Sequence, residues 1–213
     1  MSSQVIIAID GPAGAGKSTV ARRVASELGI EYLDTGAMYR AVTFGVLSRE
    51  IDPSDAESVI RVCRQLQLEI SVDRVVVDGV DATSAIRGPE VTSAVSAVAA
   101  TPEVRQFLVE LQRAWILERG AGVVEGRDIT TVVLPDADLK LFVTASPRVR
   151  AERRVAESGG DVDAVEAAIA ERDRRDETRA ASPLSISSEA VVIDTSEMSI
   201  DDVVADILER VQG

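Results

Sequence analysis

Histidine and asparagine are both missing from the 213 residues of this chain. Without histidine there is no Ser-His-Asp or Cys-His nucleophile, no imidazole-held metal and no imidazole general base. Without asparagine, the Asn-Lys-x-Asp signature that reads guanine in GTPase switch proteins cannot be written. The single cysteine, Cys63, excludes an intramolecular disulfide and a cysteine zinc site. On the helix-like stretch Val59 to Leu66 it is expected to be a buried or half-buried thiol. Lysine is scarce too: of 23 basic residues only Lys17 and Lys140 are lysine, and the other 21 are arginine. No apolar run approaches the roughly 18 residues that cross a bilayer, and the N-terminus has no signal-peptide pattern, so a cytoplasmic protein is expected. A net charge of −13 argues against non-specific nucleic-acid binding and against an anionic membrane surface, both of which need basic patches.

What is present is a hydrophobic fraction of 46%, enough for a substantial core, and one complete motif. Gly11-Pro12-Ala13-Gly14-Ala15-Gly16-Lys17-Ser18 fits G-x-x-x-x-G-K-[ST]. The β-branched run Val5 to Asp10 precedes it and reads as a buried strand. Thr19 to Leu28 follows as a helix with Gly29 as its stop. A strand, a glycine loop and a helix in that order make a phosphate cradle. Backbone N–H groups and the helix N-terminus face the anion, Lys17 adds a compact charge, and the Ser18 hydroxyl can ligate Mg²⁺. A bland alternative is a glycine-rich turn that merely joins strand to helix. That one of two lysines sits at the motif position favours the cradle, since a slim ammonium suits it better than a planar fork.

Beyond the cradle, strand-like runs alternate with helices. Glu31 to Asp34, Gly122 to Glu125, Leu139 to Thr144 and Ala190 to Asp194 join the first run as five candidates for a parallel sheet. Helices are expected over Gly36 to Glu50, Pro102 to Arg119, Arg148 to Ser158, Val162 to Thr178 and Ser199 to Gln212. This rhythm implies a doubly wound α/β sheet with ligands at the carboxyl ends of its strands, where Asp10, Asp34, Glu125 and Thr144 fall. Leu68 to Thr83 breaks the rhythm. It reads as two or three short strands with turns at Asp73-Arg74 and Asp78-Gly79, an antiparallel insert.

Several further motifs occur in one order. Asp34-Thr35-Gly36-Ala37-Met38-Tyr39-Arg40 is followed by Ile86-Arg87, Val95-Ser96-Ala97-Val98-Ala99 and Val104-Arg105. Glu125-Gly126-Arg127-Asp128-Ile129 leads to Pro135-Asp136-Ala137. Arg150-Ala151-Glu152-Arg153-Arg154 and the run from Glu171 to Ala180 come last. Together these resemble the bacterial cytidylate kinases, from about Val5 to Gln212. The resemblance implies a single P-loop kinase domain over 1–213: a five-stranded parallel sheet flanked by helices, a small antiparallel NMP-binding insert at about 40–100, and a short lid at about 150–170. It implies transfer of the ATP γ-phosphate to CMP and dCMP with Mg²⁺, by a monomer. One departure stands out, because that family usually has glycine where this chain has Thr130. If the position needs a positive φ, Thr130 would strain the turn.

The resemblance also assigns roles. ATP would be held by Gly11, Pro12, Ala13, Gly14, Ala15, Gly16, Lys17, Ser18 and Thr19, with Arg153 from the lid. Catalytic charge would come from Lys17, Arg127, Arg150 and Arg154. Arg40, Arg127 and Arg179 would grip the CMP phosphate, and Arg172 with Asp176 the ribose. Ser18 would serve the metal, with Glu125 a candidate carboxylate beside it. Cytosine presents an N4 donor beside the acceptors N3 and O2. Asp128 and Ser96 can accept from N4, and Arg105 can donate to N3 or O2. Plainer readings remain open: an ion pair for Asp128, a small packing residue for Ser96, and a turn or cap for Thr35. Competing functions are another small-acceptor P-loop kinase, for adenylate, uridylate or shikimate, and an ATP-sensing switch. The dense arginine set speaks against the switch, which needs no second anion site.

Overall fold

A computed structural model describes residues 5–178 and 184–212. The chain separates into two compact units, one formed by the chain up to Tyr32 and from Arg119 onward, the other by Leu33–Glu118. The insert expected at about 40–100 falls inside the second unit, which extends further at both ends.

The first unit is built on a five-stranded sheet. Its strands are β1 (Ile6–Asp10), β6 (Gly122–Glu125), β7 (Leu139–Thr144) and β8 (Val191–Asp194), together with β2 (Tyr32–Asp34), whose last two residues already belong to the second unit; the order is β2-β6-β1-β7-β8. The run Ile7-Ala8-Ile9 is wholly buried, as a central parallel strand covered on both faces must be. β1 pairs in parallel with β6, Ile7 opposite Val123, and with β7, Ile9 opposite Leu141. Helices α1 (Lys17–Leu28) and α8 (Ile200–Gln212) bury Val20, Val24, Val203 and Ile207 against Ile7, Ile9, Leu141 and Val143. Gly29 ends α1 in the left-handed conformation, its N–H donating to the Ala25 and Ser26 carbonyls. α6 (Pro147–Ser158) starts with Ser146 as its cap, accepting from the Val149 N–H, and Pro147 in the first turn. α7 (Val162–Thr178) follows the Gly159-Gly160 turn. Arg148 of α6 reaches Asp163 and Glu166 across that turn.

The second unit carries the predicted antiparallel insert. β3 (Leu68–Ile70), β4 (Val75–Val77) and β5 (Val80–Asp81) form a three-stranded sheet. Asp78 and Gly79, at φ 51° and 79°, supply the two-residue turn that such a hairpin favours. The β3–β4 turn at Asp73-Arg74 is closed by the Ser71 N–H on the Arg74 carbonyl, 2.9 Å. Val75, Val77 and Ile86 pack on Ala37 and Ala41 of α2 (Thr35–Leu47). α3 (Ala56–Gln65), α4 (Pro89–Ala100) and α5 (Pro102–Arg119) complete the unit.

Two local features were not legible in the sequence: a 3-10 turn at Ala85–Arg87 and a π turn at Ile129–Val133. The second settles the question at Thr130. The only non-glycine residues with positive φ among those described are Glu50 and Asp78, so Thr130 is not strained in the way a replaced glycine would be.

Cys63 is buried on α3. Burial pushes its thiol up to about 11, with Arg64 opposing weakly. A thiol held that high carries very little thiolate at neutral pH, and the thiolate is the form that reacts. Iodoacetamide at pH 8 should therefore label the native protein far more slowly than the urea-unfolded chain, with the native rate climbing as pH approaches 11. Equal rates in the two states would show the thiol to be accessible.

Candidate active site

The cradle leaves the C-terminal end of β1 and enters α1. Gly11, at φ 145°, passes so close to β7 that a Cβ there would lie 1.9 Å from the Val143 carbonyl oxygen. Only glycine can let the loop start on that path. Lys17 is buried and its Nζ donates to the Pro12 carbonyl at 2.8 Å. Two further loop carbonyls are held from outside. Arg150 Nη1 donates to the Ala13 carbonyl at 3.1 Å, and the Thr195 hydroxyl sits 3.3 Å from the Ala15 carbonyl. Among the described residues, no protein acceptor takes the N–H of Ala13, Gly14, Ala15 or Gly16. Carbonyls held out and N–H groups left over are what an anion nest requires. The Ser18 hydroxyl, in the first turn of α1, likewise makes no bond to a described residue, and Thr19 follows it on the same helix. A hydroxyl oxygen fits a hard cation.

Three arginines of the candidate lid differ in what they do. Arg150 is almost wholly buried, donating through Nε to the Ala145 carbonyl at 2.9 Å and through Nη1 to Asp173 at 2.6 Å. Arg153 grips Thr195, Nη1 to the hydroxyl at 2.9 Å and Nη2 to the carbonyl at 2.6 Å. The Thr195 N–H in turn donates to the Thr144 carbonyl at the end of β7. Arg154 is exposed, 3.6 Å from Glu157.

The segment after β6 is organised by Asp10. Its carboxylate, fully buried, accepts from the Ile129 N–H, the Thr130 N–H and the Thr130 hydroxyl at 2.7–2.8 Å. Burial pushes the Asp10 carboxyl up; the Thr130 and Ile129 bonds pull it back, and Asp128 adds a small upward push. This is why Asp128, also buried, and Arg127 have a fixed stem. Arg127 Nε donates to Asp176 at 3.1 Å and its Nη1 to the Gly126 carbonyl at 3.3 Å. Glu125 accepts the Tyr32 hydroxyl bond.

On α7, Arg172 donates no hydrogen bond to any described residue. Burial pushes its pKa down, Arg127 and Arg154 repel it, and Asp176 and Asp173 only partly offset them. Such a group of like charges gains most from an anionic ligand. Arg179 lies outside the described residues.

In the second unit, Asp34 caps α2 by accepting from the Ala37 N–H and pairs with Arg87 at 3.2 Å. Thr35, buried, is the first residue of that helix, a position in keeping with the turn-and-cap reading. Arg40 Nη1 donates to the Ile86 carbonyl and the Thr92 hydroxyl at 3.0 and 2.9 Å. Ser96 is half-buried on α4. Arg105 is buried, lies 5.6 Å from the Tyr39 ring centroid, and donates to the Ala99 carbonyl near the end of α4 at 3.3 Å. Sequence reasoning missed Tyr39, Asp173 and Thr195. Tyr39 and Asp173 lie inside quoted motifs. Thr195 immediately follows the end of β8, where the rule on strand carboxyl ends points.

A family model described as cytidylate kinase matches residues 7–213. The cytidylate kinase of Corynebacterium efficiens is 52% identical over a 218-residue alignment covering 98% of this chain and 95% of that one. That of Mycobacterium leprae is 49% identical, covering 99% and 96%. A solved shikimate kinase from Bacteroides thetaiotaomicron shares the fold, with a TM-score of 0.51 over 98% of this chain and 99% of its own at 13% identity.

The Lys17 placement generates a test. A guanidinium cannot occupy the buried position that the ammonium holds over Pro12 without moving the loop. Lys17→Arg should therefore lower the phosphoryl-transfer rate at least about 10²-fold, the cost of roughly 1 Å of misplacement. Near wild-type turnover would contradict the cradle as described.

Proposed function

The chain belongs to the cytidylate kinase family, whose members are phosphotransferases, and we propose that it transfers the γ-phosphate of ATP to CMP and dCMP, giving CDP and dCDP. The observation that carries this reading is a second anion-accepting place in the same unit as the cradle. Arg127 stands close enough to Arg172 to repel it, and the half-buried Arg172 guanidinium donates to no described residue. A protein that only sensed ATP would have no use for it.

The reaction brings two polyanions together and spreads charge over three oxygens of the transferred group, so positioning and cations do most of the work. In this proposal the cradle and Lys17 hold the donor phosphates, while Arg150, Arg153 and Arg154 of the lid segment surround them and exclude water. Arg40, Arg127 and Arg179 hold the CMP phosphate, and Arg172 and Asp176 the ribose. Asp128 and Ser96 accept from cytosine N4; Arg105, held over Tyr39, donates to N3 or O2. Mg²⁺ accompanies ATP, with Ser18 and Glu125 as the residues that would hold it; bound there, it neutralises charge on the donor phosphates. The proposal includes a cytoplasmic monomer that binds neither nucleic acid nor membrane, in keeping with a net charge of −13.

A nucleotide panel tests the substrate assignment: CMP and dCMP should be far better acceptors than AMP or GMP, and parity would refute it. UMP reverses donor and acceptor at positions 4 and 3, leaving buried polar groups unpaired at roughly 1–3 kcal/mol each. Asp128→Ala should lower CMP use and narrow the CMP/UMP ratio. Equal losses for both nucleotides would make Asp128 a structural ion-pair residue instead.

No side chain here has an ordinary pKa near neutrality, because histidine is absent and Cys63 is pushed up to about 11. The acceptor needs no base, since a phosphate monoester loses its second proton near about pH 6 and the dianion attacks directly. Rates should fall below about pH 6 as the CMP phosphate gains that proton. The limb should move when an acceptor analogue of different phosphate pKa replaces CMP. A limb that stays fixed under that change would assign it to an enzyme carboxylate.

A further inference from the structure

Asp173 has no part in the roles assigned so far, yet its carboxylate touches the donor end of the site. Its Oδ2 accepts from Arg150 Nη1 at 2.6 Å, while its Oδ1 is buried with no hydrogen-bond partner among the described residues. A carboxylate left half-satisfied is a poor stabilising device, and buried ion pairs in general add little to stability. What it does accomplish is geometric. Arg150 carries five N–H donors in one plane. Nε is committed to Ala145 and Nη1 to Ala13 and Asp173, whereas Nη2 donates to no described residue. The Arg150 side chain also packs on the loop, since a Cβ on Gly14 would meet Arg150 Cβ at 3.3 Å.

The partner of Asp173 on α7 matters as well. Asp176 lies three residues on, hence on the same helix face, and accepts from Arg127 Nε at 3.1 Å. One face of α7 therefore holds two arginines that come from different parts of the chain. One, Arg150, is tied to the cradle; the other, Arg127, follows β6.

We propose that Asp173 is a positioning residue for phosphoryl transfer. It fixes the plane of the Arg150 fork so that Nη1 pins the Ala13 carbonyl and Nη2 is presented to the donor phosphates. Through α7 it also sets the spacing between Arg150 and Arg127. This rests on the phosphotransferase reading above and adds to it a residue that touches neither nucleotide. In-line transfer depends on that spacing more than binding does, so the loss should fall on kcat.

The test is a kinetic double-mutant cycle on the full chain, with ATP and CMP as substrates and folding checked by circular dichroism and melting. Asp173→Asn should lower kcat at least about tenfold, a fraction of what 1 Å of misplacement costs, with the KM for CMP within about threefold of wild type. In the Arg150→Ala background the same substitution should cost almost nothing further, because residues acting through one another are not additive. Should Asp173→Asn fail to fold, Asp173→Glu takes its place: it keeps the charge that buried Arg150 needs but shifts the carboxylate by one methylene, and the same kcat loss is expected. Unchanged kcat in the folded variant, a loss confined to the KM for CMP, or losses that multiply in the double variant would each overturn the inference. A wild type inactive on every nucleotide would instead overturn the function, and this inference with it; an active wild type with an insensitive variant overturns only this one.

Discussion

A buried carboxylate at the end of the central strand ties the working parts of the first unit together. Asp10 stands immediately before Gly11, so its position is set by the β1 ladder on both sides. Its oxygens accept from two consecutive N–H groups and a hydroxyl of the Ile129-Thr130 segment. Placing an ionisable group where solvent cannot reach it is costly unless donors surround it, and burial does push its pKa up. The donors that offset this cost belong to the turn that follows Gly126, Arg127 and Asp128. The start of the phosphate cradle and the stem of the loop that carries Arg127 and Asp128 are thus referred to a single side chain. Thr130, which departs from its family's usual glycine, is one of its donors rather than a point of strain.

The same economy governs the cations. An acidic protein that must meet two polyanions uses arginine almost throughout and places one of its two lysines in the cradle. The reason lies in geometry: a fork with five donors can hold a carbonyl with one edge and still present another. Arg150 and Arg153 both do the first of these, the one on Ala13, the other on Thr195, whose hydroxyl reaches Ala15. The cradle is shaped from behind by residues that sequence inspection assigns to its ligand. Arg105 and Arg40 in the second unit follow the pattern, each donating to a backbone carbonyl as well as standing at a position assigned to the nucleotide.

Much was readable from residue order alone. Strand runs such as Val5 to Asp10 and helices such as Pro102 to Arg119 announce themselves through periodicity and punctuation, both local properties. The glycine cradle is equally local, because it needs only a strand, a tight loop and a helix N-terminus in succession. The hairpin at Asp78-Gly79 follows from two residues that tolerate positive φ. The family, with its kinase activity, was legible because its motifs recur in one order over nearly the whole chain.

What the sequence by itself determined, then, is the set of elements, the cradle, the family and the absence of any histidine-based chemistry, since all of these depend on neighbours in the chain or on composition. Only the tertiary structure decided which arginine edges are committed and which are left over, that Asp173 steadies Arg150, that Thr195 backs the cradle, and that a π turn follows Asp128. Each of these rests on a hydrogen bond between residues far apart in the chain, Asp10 with Thr130 or Arg150 with Ala13. A side chain's partner across such a distance is chosen by the packing of the sheet and its helices, and no local pattern of residue types encodes it.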